Sequence, residues 1–507
     1  MRTHLKPAAE LIDDGGSMHL RTRTARAAAV SVVSQFLGMS MSLGFMAVLA
    51  RLLGPAEFGL IGMAAAITAF LAVFSQMGLS LATVQKAELT LAQISTLFWM
   101  NAAFGTMLAA ITVALSPLAG LLYGREDVVG VTAALGAGFV LAGLTAQHSA
   151  LVMRRMRFVR WWAAQLTGIA SGGAAGIAAA LAGWGVYALV CQQLVTLGVT
   201  MVGMWVAARW MPGRPVRGSG VREMVRFGGY LTGFNVLNYF ARNLDKVLLG
   251  MCWGAAEVGF YGRAFMLMTL PIKIASLPLG SVMVPSLSKV AHDTPKLREA
   301  YLRALEAISI FSMPVILLVG VEADDIVRHL LGPSWSPTAG LLRIMLAAAI
   351  WQGVYNSTGW LFVATGRTDR LFWSGLLVVC VVATGFAVGA AYGAAGMALA
   401  YSVAFSAVIL PQLAFAYSGI WLRLRAAMRM VVPALVASAA GAGGALGLRA
   451  FVTGGWPPAV RLTVEILAGG ALYLAIISAI RPGWSGRMLR PLLNTASRKG
   501  GRCLSGI

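Results

Sequence analysis

Apolar runs long enough to cross about 30 Å of hydrocarbon recur from one end of this chain to the other, and no other feature limits its fold so severely. About fourteen can be counted between residues 27 and 480, among them runs near 158–182, 303–321 and 460–480. Each holds roughly 20 or more residues of continuous apolarity, whereas a membrane strand needs only about 10 with alternation, so helices are expected rather than a barrel. Composition agrees: 58% of the 507 residues are hydrophobic, 11% are charged, and mean hydropathy is +0.77. The expected fold class is an all-α polytopic membrane protein of about 14 transmembrane helices.

The formal charge of +22 would suit a nucleic-acid partner, but its placement argues against one. Most of the 40 Lys and Arg residues fall in the two tails and the even-numbered connections, as with Arg154, Arg155 and Arg157, or Arg498, Lys499 and Arg502. The odd-numbered connections are acidic instead, with Glu57, Glu126, Asp127, Glu257, Glu322, Asp324 and Asp325. Cytoplasmic loops carry such a basic excess, so both termini are expected in the cytoplasm. The first 26 residues mix Glu10, Asp13 and Asp14 with basic residues and have no apolar core, which argues against a cleavable signal peptide. The four cysteines, Cys191, Cys252, Cys380 and Cys503, suggest neither a disulfide framework nor a metal site, and no cofactor is expected.

An internal repeat organises the runs. Residues Gly54 to Gly62 read Gly-Pro-Ala-Glu-Phe-Gly-Leu-Ile-Gly, and Gly254 to Gly262 read Gly-Ala-Ala-Glu-Val-Gly-Phe-Tyr-Gly, so five of nine match at an offset of 200. Gly185, Val186, Tyr187, Ala188 and Leu189 find a weaker echo in Gly396, Met397, Ala398 and Leu399. The repeat implies two six-helix lobes of the same orientation, 27–208 and 227–418. Around them are expected a cytoplasmic tail (1–26), an Arg-, Gly- and Pro-rich linker (209–226), two further spans (419–480) and a basic tail (481–507).

Within the span expected at 227–252, Asn235, Asn238, Tyr239, Arg242, Asp245 and Lys246 put a polar stripe into a membrane-length segment. A charge at the bilayer centre costs roughly 2.5 to 3.5 kcal/mol, so the stripe marks a hydrated cavity or a paired face. Arg242 lies roughly 22 Å from the inner surface at about 1.5 Å per residue, while Lys246 is near the outer edge and can snorkel. On the next span, Arg263 is near the outer surface. Lys273 is mid-membrane among Pro271, Pro278 and Pro285, which should break or kink the helix. Arg242 and Lys273 are the leading cavity cations. An arginine fork suits phosphate, and a lysine offers a mobile point charge. The first lobe supplies only hydrogen-bonding groups, including Gln35 and Gln76. Asp245 reads equally as a counter-ion for Arg242 or as a carboxylate that couples to an ion. Gln147 with His148, Gln352 with Tyr355 and Asn356, and Glu465 read as packing or interfacial, and Glu306 with Arg303 as a surface pair.

The runs Leu49-Ala50-Arg51-Leu52-Leu53-Gly54-Pro55-Ala56-Glu57-Phe58-Gly59 and Ser95-Thr96-Leu97-Phe98-Trp99 resemble bacterial polysaccharide-export flippases. So do Asn238-Tyr239-Phe240 with Arg242, Asn243 and Asp245, Gly259-Phe260-Tyr261 with Arg263 and Ala264, and Ala364-Thr365-Gly366-Arg367-Thr368-Asp369. They look like the Wzx-type, colanic-acid-exporter branch of the multidrug/oligosaccharidyl-lipid/polysaccharide exporter superfamily. The resemblance implies a MATE-like pair of helix bundles around a central cavity in the bacterial inner membrane. It also implies a polyprenyl-pyrophosphate-linked oligosaccharide as substrate, with the polysaccharide polymerase, other assembly proteins and membrane lipids as candidate partners. Arg242, Arg263 and Lys273 are the positions that fit the pyrophosphate-facing cations of such flippases. Two rival functions are weaker. A cation-coupled multidrug exporter would favour acidic cavity residues, and a membrane polymerase or glycosyltransferase would carry large outer loops with catalytic groups.

Overall fold

The computed structural model describes residues 20–75, 83, 90–216, 243–420 and 422–483. Among these residues the chain forms α1 (Leu20–Leu52), α2 (Pro55–Ser75), α3 (Leu91–Tyr123), α4 (Asp127–Arg154), α5 (Phe158–Leu181) and α6 (Val186–Ala208). There follow α7 (243–253), α8 (Ala255–Lys289), α9 (Thr294–Val321), α10 (Ala323–Leu330) and α11 (Ser336–Ala364). The last are α12 (Thr368–Gly389), α13 (Gly393–Ser418), α14 (Leu424–Leu448) and α15 (Pro458–Ile480). Eleven stretches among the described residues are long and apolar enough to cross a membrane, and one of them, Asp369–Ser418, holds both α12 and α13. The protein is thus a multi-pass helical membrane protein.

Local signals set the helix ends. Thr90 and Gln93 form a reciprocal capping box at the start of α3, at 3.2 Å in each direction, which satisfies two otherwise orphaned backbone groups. Gly124 closes the same helix in the left-handed conformation (φ 62°) and donates its amide to the Gly120 carbonyl. Glu57 and Glu257 each fall in the first turn of their helix, where a carboxylate meets the positive end of the helix dipole. This is a physical reason for an acid at both repeat positions. α8 runs unbroken through Pro271, Pro278 and Pro285, contrary to the expected break. Each proline removes a single backbone donor, a loss that a long membrane helix can absorb through its neighbours.

The chain divides into two compact units, Met1–Gly262 with Ala390–Ala394, and Arg263–Gly389 with Ala395–Ile507. In the first unit, consecutive helices pack as close pairs through glycine. A Cβ at Gly105 of α3 would lie 2.4 Å from the Phe139 carbonyl oxygen, and one at Gly143 of α4 would lie 2.5 Å from that of Asn101. On α5, Gly168, Gly172 and Gly176 recur every fourth residue along the seam with α6. Added Cβ atoms there would meet Thr200 Oγ1 at 2.1 Å, Thr196 Oγ1 at 1.9 Å and Gln192 Cβ at 2.8 Å. Lipid tails are as apolar as leucine, so helices in a bilayer gain mainly from close backbone approach, which small residues permit.

The repeat turns meet in the same unit. A Cβ at Gly59 would fall 1.6 Å from the Ala255 carbonyl oxygen, and one at Gly259 would fall 2.0 Å from that of Pro55. Each contact is the other displaced by 200 residues in both partners, the reciprocity that a local two-fold relation requires.

The second unit is built around α9, which packs on α11 and α14. Leu305, Ile308, Met313, Leu413 and Val431 fill its core. Two buried tyrosine hydroxyls are paired, Tyr301 with Ser357 at 2.9 Å and Tyr473 with the Ile310 carbonyl at 2.8 Å. Arg303 pairs with Glu299 one turn earlier rather than with Glu306. Glu306 instead faces Arg481, 3.8 Å away. The i,i+4 spacing suits the longer arginine reach, and Glu306 lies on the less exposed side of the helix.

Candidate functional site

Asp245 on α7 is buried, with 3% of its surface exposed. The neighbouring Gly250 gives the reason: it sits against the Tyr123 ring and Met63, closer than a side chain would permit, and draws α7 onto α2 and α3. The Asp245 carboxylate accepts the backbone N–H of Lys246 at 2.8 Å, and the Tyr261 hydroxyl stands beside it. Lys246 is half-buried. Among the described residues its charged or hydroxylic company is one lysine and one phenol, and a buried carboxylate so placed binds a cation or a proton more readily than an anion.

Arg263 and Lys273 belong to the second unit. Arg263 is half-buried, with Nη1 3.5 Å from the Met266 sulfur, and Lys273 is exposed. Ten residues along a helix place them about 15 Å apart on its axis. Gln35 on α1 is half-exposed. Asn235, Asn238, Tyr239, Arg242 and Gln76 lie outside the described residues. The structure therefore brings Asp245, Lys246 and Tyr261 together, and sets Arg263 and Lys273 along one helix.

Other polar candidates have structural partners. Gln147 accepts from Thr83 at 3.1 Å, and His148 stacks on Trp205 with ring centres 4.3 Å apart. Both are fully buried, as their reading as packing residues requires. Glu465 differs from its interfacial reading: it is fully buried and accepts from Arg449 Nη2 at 2.8 Å. Around the same arginine gather Glu322 and Asp325, while Arg461 bonds Asp325. Sequence reasoning missed this group. Its one local signal is a pair of acids, Glu322 and Asp325, at helical spacing where α9 ends.

The sequence profile described as "Polysaccharide biosynthesis protein" matches residues 48–340 of this chain. The chain belongs to that family. The matched stretch includes Asp245, Arg263 and Lys273, whereas Arg449, Arg461 and Glu465 lie beyond it. Among curated relatives of this family member, the lipopolysaccharide biosynthesis protein WzxC of Escherichia coli (strain K12) is 24% identical over 432 residues. That alignment takes in 83% of this chain and 88% of WzxC. The succinoglycan biosynthesis transport protein ExoT of Rhizobium meliloti (strain 1021) is 24% identical over 351 residues, 68% of this chain and 69% of ExoT. Among solved structures, the lipid II flippase MurJ in an inward closed conformation superposes with a TM-score of 0.72 at 14% identity. It covers 91% of this chain and 99% of MurJ, and at that identity the likeness establishes the fold.

Proposed function

We propose that this family member moves a polyprenyl-pyrophosphate-linked oligosaccharide repeat unit from the cytoplasmic to the periplasmic leaflet of the bacterial inner membrane. It works by alternating access between the lobes 27–208 and 227–418, with both termini cytoplasmic, and it catalyses no covalent chemistry. The product feeds exopolysaccharide or lipopolysaccharide assembly, with the polymerase and other assembly proteins as partners downstream.

The observation that carries this reading is a pair of cations, Arg263 and Lys273, on one unbroken helix of 35 residues in a member of the polysaccharide biosynthesis family. A pyrophosphate crossing about 30 Å of hydrocarbon needs a wet, cationic path while its lipid tail stays among lipids. Arginine answers that need with two parallel hydrogen bonds to phosphate and lysine with a mobile charge. Arg242 joins them as the third proposed phosphate ligand. Asn235, Asn238, Tyr239, Gln35 and Gln76 are the proposed sugar- and water-facing groups. Asp245, buried beside Lys246, is the proposed ion-coupling carboxylate.

The test is complementation of a host deleted for this gene. Arg242→Ala, Arg263→Ala and Lys273→Ala, each at native abundance in the membrane, should lower polymer export and leave lipid-linked oligosaccharide to accumulate. Normal polymer output from all three variants would remove the proposal.

A further inference from the structure

Near the C-terminal end of the chain, five charged side chains from four segments converge where α15 meets the corner between α9 and α10. Arg449 follows α14, Arg461 and Glu465 belong to α15, Asp325 to α10, and Glu322 stands between α9 and α10. Glu322 and Glu465 are fully buried, and Asp325 is 6% exposed. Facing oxygens of the three carboxylates lie within 4.8 Å of one another. Three acids against two guanidinium groups leave this buried pocket one negative charge in excess if every group is ionised.

A metal ion does not fill that deficit. Nη2 of Arg449 bonds all three carboxylates, reaching Glu322 Oε2, Asp325 Oδ2 at 3.1 Å and Glu465 Oε2 at 2.8 Å, so it already holds the point where they converge. Tracing donors to each oxygen locates the deficit. Asp325 Oδ1 and Oδ2 each receive Arg461 Nη2 at 2.7 Å, and Glu465 Oε1 receives the Thr453 hydroxyl. The remaining oxygen, Glu322 Oε1, is buried without a hydrogen-bond partner among the described residues. A buried acceptor with no donor is expensive, and adjacent carboxylates cannot all stay ionised.

We propose that Glu322 and Glu465 share one bound proton, which makes the docking seam of α15 a proton-binding site. Burial, together with the neighbouring Glu465 and Asp325, outweighs the pull of Arg449 and pushes the Glu322 carboxyl up to about 7, in keeping with a site that empties near neutral pH. The other charged groups at this corner are committed elsewhere or distant from the pair. Asp324 of α10 pairs with Arg343 of α11, and His329 Nδ1 donates to the Asp325 carbonyl at 2.8 Å. Arg328 is the remaining charge of α10, and Arg449 Nη1 reaches the last carbonyl of α9, that of Val321, at 3.5 Å. The inference stands whether or not the chain transports a lipid-linked sugar.

The sign follows from the direction of the shift. A carboxyl that titrates higher in the folded than in the unfolded chain favours folding at low pH, and the advantage is lost as pH rises through the folded value. The experiment is infrared difference spectroscopy on the full-length protein in lipid nanodiscs, stepped between about pH 5 and pH 9, with a parallel series of thermal midpoints. The wild type should lose one carboxylic-acid carbonyl band, and its midpoint should fall, over the same interval around neutrality. Glu322→Gln, which mimics the protonated acid, should lack the band and show a flat midpoint over that interval, while Asp324→Asn should keep both responses. A wild type with no neutral-pH acid band overturns the proposal even if a variant fails to fold. So does a band that survives Glu322→Gln. Sodium or calcium that raises the wild-type midpoint at fixed pH, but not that of Glu322→Gln, would assign the site to a metal ion instead.

Discussion

Adding one methyl group at Gly59 should weaken this protein, although the same change elsewhere on a helix would strengthen it. Alanine is favoured over glycine in a helix interior by about 0.8 to 1 kcal/mol. Against that gain stands the Ala255 carbonyl oxygen, 1.6 Å from where the new Cβ would lie. An ordinary carbon–oxygen contact is about 3.3 to 3.6 Å, so the helices must part by roughly 2 Å. The obstacle is backbone, which cannot turn aside as a side chain would. Overpacking of this kind costs about 1 to 3 kcal/mol, and parting also forfeits the close Cα–H···O contacts, worth perhaps 0.5 to 1 kcal/mol each. The balance is a net loss of about 1 to 3 kcal/mol. Gly259→Ala should lose a similar amount against the Pro55 carbonyl, 2.0 Å away. The double variant should cost less than the sum, since one separation makes room for both methyl groups. Gly262→Ala, where nothing lies within 4 Å of the added atom, is the matched control and should be neutral or stabilising. Thermal unfolding of the purified full-length protein in detergent, followed by exposure of its cysteines to a thiol-reactive dye, reads all four. A Gly59→Ala variant as stable as Gly262→Ala would refute the reasoning.

Two further outcomes follow from packing and capping. Gly172→Val should reduce membrane abundance or unfold the protein at lower temperature, because its first side-chain carbon would lie 1.9 Å from Thr196 Oγ1 and 2.6 Å from the Gln192 carbonyl oxygen; Gly198→Val on the partner helix, where nothing lies within 4 Å, should be tolerated in the same assay. Thr90→Ala removes one arm of the capping box at the start of α3 and should cost about 1 kcal/mol, seen as a lowered thermal midpoint, with Thr90→Ser retaining most of the stability.

Hydropathy gave the helices away because the bilayer forces apolarity on whatever crosses it. The run expected at 158–182 is α5 at Phe158–Leu181, and the one at 460–480 is α15 at Pro458–Ile480. The reading failed where a helix extends beyond its apolar part. The run at 303–321 begins at Thr294, since the first turns of α9 carry Lys296, Arg298 and Glu299 and continue the helix in polar surroundings. Local spacing likewise misled the pairing of Arg303, whose partner is four residues back, and of Glu306, whose partner Arg481 lies far along the chain. The cluster around Arg449 was illegible for the same reason, because Glu322 and Glu465 are brought together only by tertiary packing. Of the polar stripe, Asp245 is buried against its neighbours, and what marked it in the sequence, a carboxylate inside a membrane-length apolar segment, is a local property that needs no long-range contact.

The glycine seams between consecutive helices also bear on how such a chain is made. α3 with α4, α5 with α6, and α14 with α15 are each joined by a short connection, and each carries glycines at points of near backbone contact, as where a Cβ added at Gly441 would lie 2.6 Å from the Gly469 carbonyl oxygen and one at Gly469 2.8 Å from that of Gly441. A pair of this kind has its best partner next door and needs no later segment to complete its interface. Closing so short a loop costs little entropy. Each hairpin can therefore settle as it leaves the insertion machinery, before the ribosome has finished the next. Biogenesis of the 507-residue chain then becomes the docking of a few ready-made hairpins, and a bulky residue in one of these seams should be felt during synthesis, as misinsertion and degradation, sooner than in the mature protein.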